Sequence, residues 1–557
     1  MESDRTVPGL SVNGSWRNVF EDGVRKEFEA LILPAYLKER RWFGGKAREI
    51  QQLQVLEDIP LEKKSTAAHM LFLEVQYTEG LPELYLLPVA FAAAEKAKEI
   101  LESFQPGVIA HLKVGDTEGI LYDGVYNGEF RQQLLRMMAK KQKRCGKLGE
   151  LVANPTTAFK KSADEKTGID DELPVDSRVL NVEQSNTALI YGNKFFFKLF
   201  RRLEAGLNPD LEISGFIIEK TSFDHIPHVA GALEYRKAGS APVVLGILQA
   251  LVPNEGDAWK YSLDAIGKYF ERVLLKKLEI QEMPHVSSCL FDLVFQEIPA
   301  NVQELIGSIY LERANLLGKR TAELHLALAS NANDPNFSPE PFSLFDQHSI
   351  YQSMQSAAER NFQLLNKNLK ILPGDEIRKA AEEILCREKD ILERYGAILK
   401  RKFSTMKIRI HGDYHLGQVL YTGSDFIIID FEGEPAKALS ERRLKRSPFR
   451  DVAGMIRSFH YAVYTGLLKK AAIRQEDIPL LKPWADQWYK YVAGVFLRSY
   501  FATAGNAPFM PKEPEEANFL LRTFLLEKAV YELGYELNNR PDWLMIPISG
   551  IKQLLEG

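Results

Sequence analysis

The sequence predicts an α+β fold of the bilobal, protein-kinase-like kind. A strand-rich region at 178–252 precedes a long region with mostly helical periodicity. In the second region Asp413 and Asp430 each follow an apolar stretch, and Gln418 stands five positions after the first of them. Protein kinases have the same spacing between the catalytic aspartate and a metal-binding asparagine. We therefore expect a strand-rich amino-terminal lobe followed by a helical lobe that carries the catalytic loop.

The segment from His411 to Gln418 has the residue types that phosphoryl transfer requires. Asp413 is expected to accept the proton of an incoming hydroxyl and to hold that hydroxyl in line with the γ-phosphate. Asp430 and the amide oxygen of Gln418 are oxygen ligands of the kind that Mg²⁺ prefers. Taken singly, His-Gly-Asp is also typical of a turn, but the joint spacing favours the catalytic interpretation. His411 is expected to orient the loop, because Asp413 already serves as the base.

Candidates for binding ATP lie in the strand-rich region. Lys198 ends an apolar strand, where its ammonium group would contact the α- and β-phosphates, although alone it also fits an edge-strand lysine facing water. Glu212, in a predicted helix, is the expected partner of Lys198. A glycine-rich loop is absent before Lys198, so short polar residues are the candidates for holding phosphate oxygens. These are Ser185, Asn186 and Thr187.

The apolar stretch 245–252 predicts a buried strand that ends where the two lobes connect. We expect adenine to bind there, beside Gln249, through backbone groups of Ala250 and Val252.

Composition narrows the class of protein. The 557 residues include 71 Lys plus Arg and 75 Asp plus Glu, a formal net charge of −4 that argues against a nucleic-acid partner. The three cysteines, at 145, 289 and 386, are widely spaced and suggest neither a disulfide framework nor a zinc cluster. The start lacks an apolar signal core, and no apolar run is long enough to span a bilayer. We expect a cytoplasmic protein without a membrane partner.

Changes in composition predict three domains. Residues 1–117 read as a small α+β cap, 118–252 as the strand-rich kinase lobe, and 253–557 as the helical lobe. Predicted helices include 28–39, 318–329, 376–402 and 484–502. The basic segment 140–144 is interpreted as a solvated helix end in preference to an anion-binding patch.

Motifs spread over nearly the whole chain closely resemble those of the maltokinases, including maltokinase domains fused to trehalose synthase, within the aminoglycoside-phosphotransferase-like kinases. The motifs are RRWFGGK at 40–46, EQSNT at 183–187, NPDLE at 208–212, NEGDAW at 254–259, TAELH at 321–325, HGDYHLGQ at 411–418, DFEGEP at 430–435, SPFRD at 447–451, YE at 535–536 and NRP at 539–541. The catalytic-loop motif alone is shared by many sugar and antibiotic kinases.

The resemblance implies a cystatin-like cap and Mg²⁺-dependent transfer of the γ-phosphate of ATP to the anomeric hydroxyl of maltose. The product would be maltose 1-phosphate, which feeds α-glucan (glycogen) synthesis from trehalose, and association with trehalose synthase is an implied partnership. It also implies that Asp413 is the base, that Gln418 and Asp430 hold Mg²⁺, and that Lys198 and Glu212 form a phosphate-positioning pair. This chain departs from the family mainly in length.

Acceptor candidates come from the end of the helical lobe. By resemblance Arg540 is the leading candidate, with Tyr535 and Glu536 beside it. A disaccharide site usually combines an aromatic platform with converging polar groups, although aromatic residues at helical spacing are more often core. The basic cluster at 442–446 fits equally a solvated loop and a group that positions phosphate or catalytic carboxylates.

Two other functions remain open from the sequence. One is a kinase for another sugar such as glucosamine, because glucosamine kinases share the catalytic loop. The other is a catalytically silent kinase fold that serves as a binding partner, for example of trehalose synthase. The joint presence of Lys198, Asp413, Gln418 and Asp430 argues against the silent alternative.

Overall fold

The computed structural model describes residues 7–62, 68–159, 176–180, 186–278, 281, 283–287, 289–469 and 473–556. The chain forms two compact units. Unit 1 contains Met1–Ser214 and Pro227–Val252, and unit 2 contains Gly215–Ile226 and Pro253–Gly557.

The first half of unit 1 is a sheet with short helices on one face. Its strands are β1 (Gly9–Val12), β2 (Ile50–Pro60), β3 (His69–Tyr77), β4 (Glu83–Ala93), β5 (Val108–Val114) and β6 (Thr117–Asp123), in the order β1-β5-β6-β4-β3-β2. Only the β1–β5 pair is parallel among these neighbours. The helices are α1 (Asp22–Glu27), α2 (Leu33–Glu39) and α3 (Ala94–Ser103).

Apolar patterning explains this sheet. In β2 the buried positions Leu53, Val55 and Ile59 alternate with more exposed ones, so that one face of the strand meets the core. Phe28 and Leu33 of the helical stretch belong to the same buried cluster. The stretch predicted at 28–39 is helical, as a π-helical turn at Phe28–Ile32 followed by α2. The first sheet includes β6, so it extends beyond the predicted cap border at 117.

The second sheet of unit 1 is antiparallel throughout. Its strands are β7 (Lys143–Cys145), β8 (Glu150–Pro155), β9 (Ser177–Leu180), β10 (Thr187–Tyr191), β11 (Phe195–Leu199), β13 (Val229–Arg236) and β14 (Val243–Ala250), in the order β7-β8-β13-β14-β11-β10-β9. Helix α4 (Gly128–Ala139) precedes it, and α5 (Pro209–Lys220) follows β11. The predicted alternation of strands with one helix is therefore present. Part of the basic segment at 140–144 lies in the exposed edge strand β7 rather than at a helix end.

A buried ion pair joins the two sheets of unit 1. The Arg201 side chain is 1% exposed, and its Nη2 lies 2.7 Å from Oδ2 of Asp123, the last residue of β6. Its Nε donates to Oγ1 of Thr187, the first residue of β10, at 2.7 Å. Strand β12 (Arg202–Leu203) follows and pairs with β4. The first sheet thus fixes the start of β10 through one guanidinium.

Unit 2 is mainly helical. Its long helices are α6 (Ala258–Leu275), α8 (Ser308–Leu328), α9 (Leu344–Asn368), α13 (Phe449–Lys469), α14 (Ile478–Ala504) and α15 (Pro514–Asn539). Shorter ones are α7 (Ala300–Ile306), α10 (Asp375–Leu385), α11 (Glu388–Gly396), α12 (Leu439–Arg442) and α16 (Met545–Glu556). Two small antiparallel pairs join β15 (Glu340–Pro341) to β16 (Met406–Lys407) and, as a hairpin, β17 (Val419–Tyr421) to β18 (Phe426–Ile428).

Of the three helix predictions in unit 2, two hold and one is wrong. The stretches 318–329 and 484–502 fall within α8 and α14, apart from residue 329. The stretch 376–402 is divided between α10, α11 and a 3-10 turn, because Arg387 leaves the helical conformation at φ −101° and ψ 5°. No glycine or proline marks that break. Within the described part of the chain, no helix combines the length and apolarity needed to cross a bilayer.

Candidate active site

Asp413 lies on the loop between β16 and β17 and opens onto a cavity of about 430 Å³ within unit 2. Its side chain is 25% exposed. Gly412, just before it, has φ +86°, and a Cβ there would come within 3.3 Å of Gly433 Cα. A glycine is therefore required where the catalytic loop approaches the segment after Asp430.

Asp451, at the start of α13, holds the catalytic loop. One of its carboxylate oxygens accepts from the His411 N–H at 2.7 Å and the other from the Gly412 N–H at 2.9 Å. His325 Nε2 lies 3.2 Å from the same carboxylate. Burial alone would raise the pKa of Asp451, but these hydrogen bonds and the nearby imidazoles hold it below its usual value. The carboxylate stays charged and fixes two successive backbone amides of the loop.

His411 is buried beneath this loop. Its Nε2 lies 2.9 Å from the Ile429 carbonyl, and its Nδ1 is 3.4 Å from the Asp413 N–H. Hydrogen bonding therefore requires Nε2 to carry the proton and Nδ1 to accept. With both nitrogens engaged inside the protein, the imidazole is placed to orient Asp413.

Gln418 and Asp430 are adjacent, as their predicted metal role requires. Gln418 Nε2 donates to Asp430 Oδ2 at 2.8 Å, and the Ile429 N–H donates to the Gln418 carbonyl at 3.0 Å. Asp430 adopts φ +70°, a conformation that a non-glycine residue rarely takes and that turns the chain just after β18. Rotation of the Gln418 amide would direct its oxygen to the same side as the carboxylate. This donor set fits a hard divalent cation.

Lys528, on α15, is a site residue that the sequence analysis missed. Its Nζ lies 3.5 Å from Asp413 Oδ1. Burial would lower the pKa of Lys528, but the carboxylates of Asp413, Glu532 and Glu434 raise it above the usual value. A cation therefore accompanies the candidate base. No spacing rule links α15 to a loop more than a hundred residues earlier, so only the tertiary fold reveals the pair.

The cavity beside Asp413 is lined by paired charges and aromatic rings. Its aromatic lining includes Tyr395, Tyr414, Phe524, Tyr531 and Tyr535. Four of its carboxylates lie near a cation: Asp413 near Lys528 at 3.5 Å, Glu434 near Lys437 at 2.7 Å, Glu441 near Arg446 at 3.7 Å, and Glu527 near Arg450 at 2.9 Å. The fifth, Asp451, accepts the hydrogen bonds described above.

The three predicted acceptor residues take different places. Tyr535 is 47% exposed and lines the cavity. Glu536 is buried, accepts from Arg540 at 2.7 and 3.0 Å, and also accepts from the Tyr461 hydroxyl at 3.1 Å. Arg540 is 4.4 Å from the Trp543 ring centre, and the described lining includes neither Arg540 nor Glu536. Trp484 and Trp488 are fully buried, so they belong to the core.

The basic cluster at 442–446 is not simply a solvated loop. Arg442 and Arg446 line the cavity, and Arg442 Nη1 donates to the Glu432 carbonyl at 3.4 Å. Lys445 instead contacts Glu340 at 2.7 Å. The cluster is thus divided between the cavity wall and an ion pair in which the Lys445 side chain is 6% exposed.

The nucleotide candidates belong to unit 1. Lys198 Nζ lies 3.4 Å from Asp210 Oδ2. Asp210 and Glu212 both stand in the first turn of α5, and the pairing of Lys198 with Glu212 stays a prediction. The Lys198 side chain is 11% exposed, which excludes the alternative of an edge lysine facing water.

The remaining nucleotide candidates lie near the same strands. The Thr187 hydroxyl accepts from Arg201, and Asn186 lines a small cavity of about 250 Å³ beside it. Gln249 is buried in β14, and the Ala250 N–H donates to the His228 carbonyl at 2.8 Å. That N–H is therefore used inside the protein, and Val252 follows the strand. Ser185 lies outside the described residues.

Comparison with known proteins shows what the chain is similar to. Residues 36–127 match the model of the maltokinase N-terminal cap domain. A glucosamine kinase from Streptacidiphilus jiangxiensis is 22% identical over 384 residues, 68% of this chain and 73% of that protein. A glucosamine kinase from Mycolicibacterium smegmatis is 30% identical over 155 residues, 26% of this chain and 34% of that protein.

The fold has a solved counterpart. The structure of a glucosamine kinase in complex with glucosamine, ADP and inorganic phosphate covers 93% of this chain and 98% of its own, with a TM-score of 0.57 and 17% identity. This likeness confirms the predicted kinase-like α+β fold. Residues 36–127 thus match the maltokinase cap that the sequence motifs predicted, within a chain of kinase-like fold.

Proposed function

We propose that this protein is an ATP-dependent sugar kinase that transfers the γ-phosphate to the anomeric hydroxyl of maltose. The products are maltose 1-phosphate and ADP. The observation that carries the proposal is Asp413, which a buried loop anchor directs into a cavity lined by tyrosines and paired charges. Such a cavity is suited to a neutral molecule with many hydroxyl groups.

The proposed transfer replaces one oxygen by another at the γ-phosphorus. As the acceptor oxygen attacks the γ-phosphorus, the bond from that phosphorus to the β,γ-bridging oxygen breaks and ADP leaves. Asp413 takes the acceptor proton, while Asp451 holds the backbone on which Asp413 stands. Lys528 lies within reach of the same carboxylate and neutralises part of the charge that gathers there.

Contacts with the nucleotide are assigned to residues of unit 1. Lys198, held by Asp210, supplies a cation for the phosphates, and Asn186 and Thr187 supply polar groups at the start of β10. Asp430 and Gln418 would hold Mg²⁺, which neutralises phosphate charge when bound. The glucosamine kinase of similar fold was solved with ADP, which supports ATP as the donor.

The charges of the cavity favour a neutral sugar over an amino sugar. A protonated amino group needs a carboxylate whose charge is not already matched. Of the five carboxylates in the described lining, four lie near cations, and Asp451 accepts backbone and imidazole hydrogen bonds. The ion pairs instead present both donors and acceptors to hydroxyl groups. Glucosamine, the substrate named for the relatives, is the second candidate because those proteins share the fold.

The wider setting follows from the proposed product. Maltose 1-phosphate is an activated sugar that a glycosyl transferase of α-glucan (glycogen) synthesis would consume. Trehalose synthase, which interconverts maltose and trehalose, would supply the acceptor in the cytoplasm. A physical association with that enzyme is part of this proposal.

An acceptor panel tests the assignment. Phosphate transfer from Mg²⁺·ATP would be measured with maltose, glucose, glucosamine, trehalose and an aminoglycoside, and 31P NMR would locate the new ester. We expect the highest kcat/KM for maltose, with phosphate on the anomeric oxygen. Tyr535→Ala, in the cavity wall, should raise the KM for maltose about tenfold, an amount typical of a lost aromatic contact of ~1.4 kcal/mol. Tyr351→Ala, outside the lining, serves as the matched control.

The other outcomes identify the alternatives. A higher kcat/KM for glucosamine would replace the acceptor and keep the mechanism. Transfer to none of the sugars by folded protein would contradict the kinase proposal and favour a silent binding partner.

A further inference from the structure

Unit 2 contains a second cavity. It is lined by a different set of α15 residues from the cavity beside Asp413. Its volume is about 430 Å³. Three arginines, Arg394, Arg401 and Arg522, line it together with the rings of Tyr395 and Phe519. Nothing in the proposed phosphoryl transfer uses these residues.

The lining of this second cavity carries an excess of positive charge. Among the described lining residues, Glu515 is the single carboxylate facing the three guanidinium groups. Burial, followed by the charges of Arg522 and Arg387, lowers the pKa of Arg394. Like charges gathered in a partly enclosed space repel one another, and a bound anion would relieve that repulsion.

Arg394 and Arg401 contact neutral groups. Arg394 donates to the carbonyls of Leu554, at 2.7 Å, and Leu555, which are near the end of α16. Arg522 Nη2 lies 3.5 Å from the same Leu554 carbonyl, and the Arg401 guanidinium stands 4.3 Å from the Phe519 ring centre. The helix end favours cations but does not cancel their charge. The bonds to Leu554 and Leu555 use two of the five N–H donors of Arg394.

The two cavities share a wall. Tyr395 lines both, and its hydroxyl donates to the Leu526 carbonyl of α15 at 3.3 Å. Helix α15 presents Phe519 and Arg522 to the second cavity. It presents Phe524 and Lys528 to the first. A ligand that shifts this helix from one side therefore acts on the cavity that contains Asp413.

We propose that the second cavity binds the phosphate monoester of a sugar and thereby inhibits transfer in the first. The phosphate would contact the guanidinium groups of Arg394, Arg401 and Arg522, and the sugar ring would lie against Phe519 and Tyr395. The choice of a sugar phosphate, which resembles the product of the proposed reaction, rests on the proposed function. The proposal that this cavity binds an anion does not depend on that function.

Equilibrium binding tests the site without turnover. Maltose 1-phosphate and inorganic phosphate would each be titrated by calorimetry into the full chain without nucleotide. Arg401→Gln and Arg522→Gln should each weaken ester binding about tenfold or more, because a charge-assisted hydrogen bond contributes about 1.5–3 kcal/mol. Arg378→Gln, at an exposed ion pair with Asp375, should leave binding unchanged. Arg401 is exposed, so its variant should fold even if Arg522→Gln does not.

The two probes also show whether the ligand is a sugar phosphate or inorganic phosphate. Tighter binding of the ester than of phosphate supports a sugar phosphate as the ligand, whereas equal affinities would overturn that part and leave phosphate itself. Ester binding that both arginine variants retain, or no ester binding at all, would overturn the site. In kinetics, inhibition by the ester should be noncompetitive with maltose and disappear in Arg401→Gln, with uninhibited kcat unchanged. Failure of the kinase assay alone would leave the calorimetric result intact.

Discussion

Asp451 and Lys528 act on Asp413 from two sides, although neither belongs to its loop. Asp451 fixes the backbone of the two preceding residues, and Lys528 lies 3.5 Å from the carboxylate itself. Fixed charges of this kind are placed before the reaction begins, so no reorganisation is needed at the moment of transfer. The proposed base is therefore positioned by charges from α13 and α15.

Lys528→Gln tests the second of these contacts. Because the lysine cation accompanies Asp413 and faces the cavity, we expect kcat to fall about 10²-fold, in the range found for the loss of one electrostatic contact in an active site. The KM for ATP should change little. Steady-state kinetics with Lys319→Gln, whose lysine is half-exposed on α8, as the control would check this. Equal kcat in the two variants would remove Lys528 from the catalytic site.

The lowered pKa of His415 predicts how the free energy of unfolding depends on pH. Burial lowers its pKa below 6.5, with Asp413 opposing and Lys528 assisting, and its neutral Nδ1 accepts from the Gly417 N–H at 3.1 Å. The folded protein then binds fewer protons at this site than the unfolded chain. The contribution of His415 to the free energy of unfolding is therefore complete above pH 6.5. It is lost as the pH falls from 6.5 towards the pKa of His415 in the folded protein, by at most about 1.4 kcal/mol per pH unit.

Urea unfolding at pH 7.5, 6.5 and 5.5 measures this contribution. His415→Gln keeps an acceptor for Gly417 but does not titrate, so its free energy of unfolding should fall less on acidification than that of the original protein. Parallel curves for the two proteins would mean that His415 has an ordinary pKa.

Sequence spacing predicted those site residues that lie close together along the chain. Asp413, Gln418 and Asp430 fall within eighteen residues, and one loop and one hairpin bring them together. Lys528 comes from a distant helix, so its place depends on how α15 packs. The contact of Asp210 with Lys198 likewise depends on the direction in which α5 faces, which spacing alone does not fix.

At the scale of elements, α13 must approach the catalytic loop closely. A Cβ on Gly454 would come within 2.5 Å of the Tyr414 carbonyl. The absence of a side chain there allows the helix start, with Asp451, to reach the His411 and Gly412 amides.

Gly454→Ala should therefore displace the loop and lower both stability and kcat. We expect a loss of about 1–3 kcal/mol, as for overpacked cores, even though alanine is the better helix former. Gly215→Ala is the matched control, because Gly215 also lies in a helix and a Cβ there meets nothing within 4 Å. That control should be neutral or stabilising by up to about 1 kcal/mol. Thermal melts and kinetic assays of both variants would test this expectation. A stable, fully active Gly454→Ala would show that there is room for a side chain between α13 and the Tyr414 carbonyl.

Element boundaries were predicted well where apolar periodicity continued and poorly where local conformation intervened. The periodicity of 484–502 continues through α14, and that helix is present. Periodicity also continues through 376–402, yet the backbone at Arg387 leaves the helix. Nothing in the residue types at that point favours a break, so tertiary packing decides it.

At the scale of the molecule, a buried ion pair is one of the links between the two sheets of unit 1. Arg201 and Asp123 are both nearly inaccessible to solvent, and Tyr36 also lies 3.4 Å from the carboxylate. Removing one partner leaves the other charge buried without compensation.

Double-mutant analysis tests this joint. Arg201→Met alone should cost about 3–5 kcal/mol, whereas Arg201→Met combined with Asp123→Leu should cost much less, because no unpaired charge remains. Urea unfolding followed by circular dichroism would measure both, with Arg178→Met on β9 as a surface control. A double variant that loses at least as much stability as Arg201→Met would mean that the two residues do not act as a pair.

The sequence predicted the order of cap, strand-rich region and helical region because each has its own periodicity. It did not reveal the joints, since Arg201 and Asp123 are separated by 78 positions and sit in unremarkable local patterns. The cavity with three arginines was equally hidden, because α11, α15 and α16 contribute to it from separate parts of the chain.

Maltose-dependent phosphate transfer by Asp413→Asn, compared with the original protein, tests the central claim most directly. The substitution keeps the shape of the side chain and removes the base. We expect the original protein to make maltose 1-phosphate from Mg²⁺·ATP and the variant to lose kcat by about 10²–10⁴-fold, with the same thermal stability within about 1 kcal/mol. Unchanged kcat in Asp413→Asn, with phosphate still on the anomeric oxygen, would contradict the account.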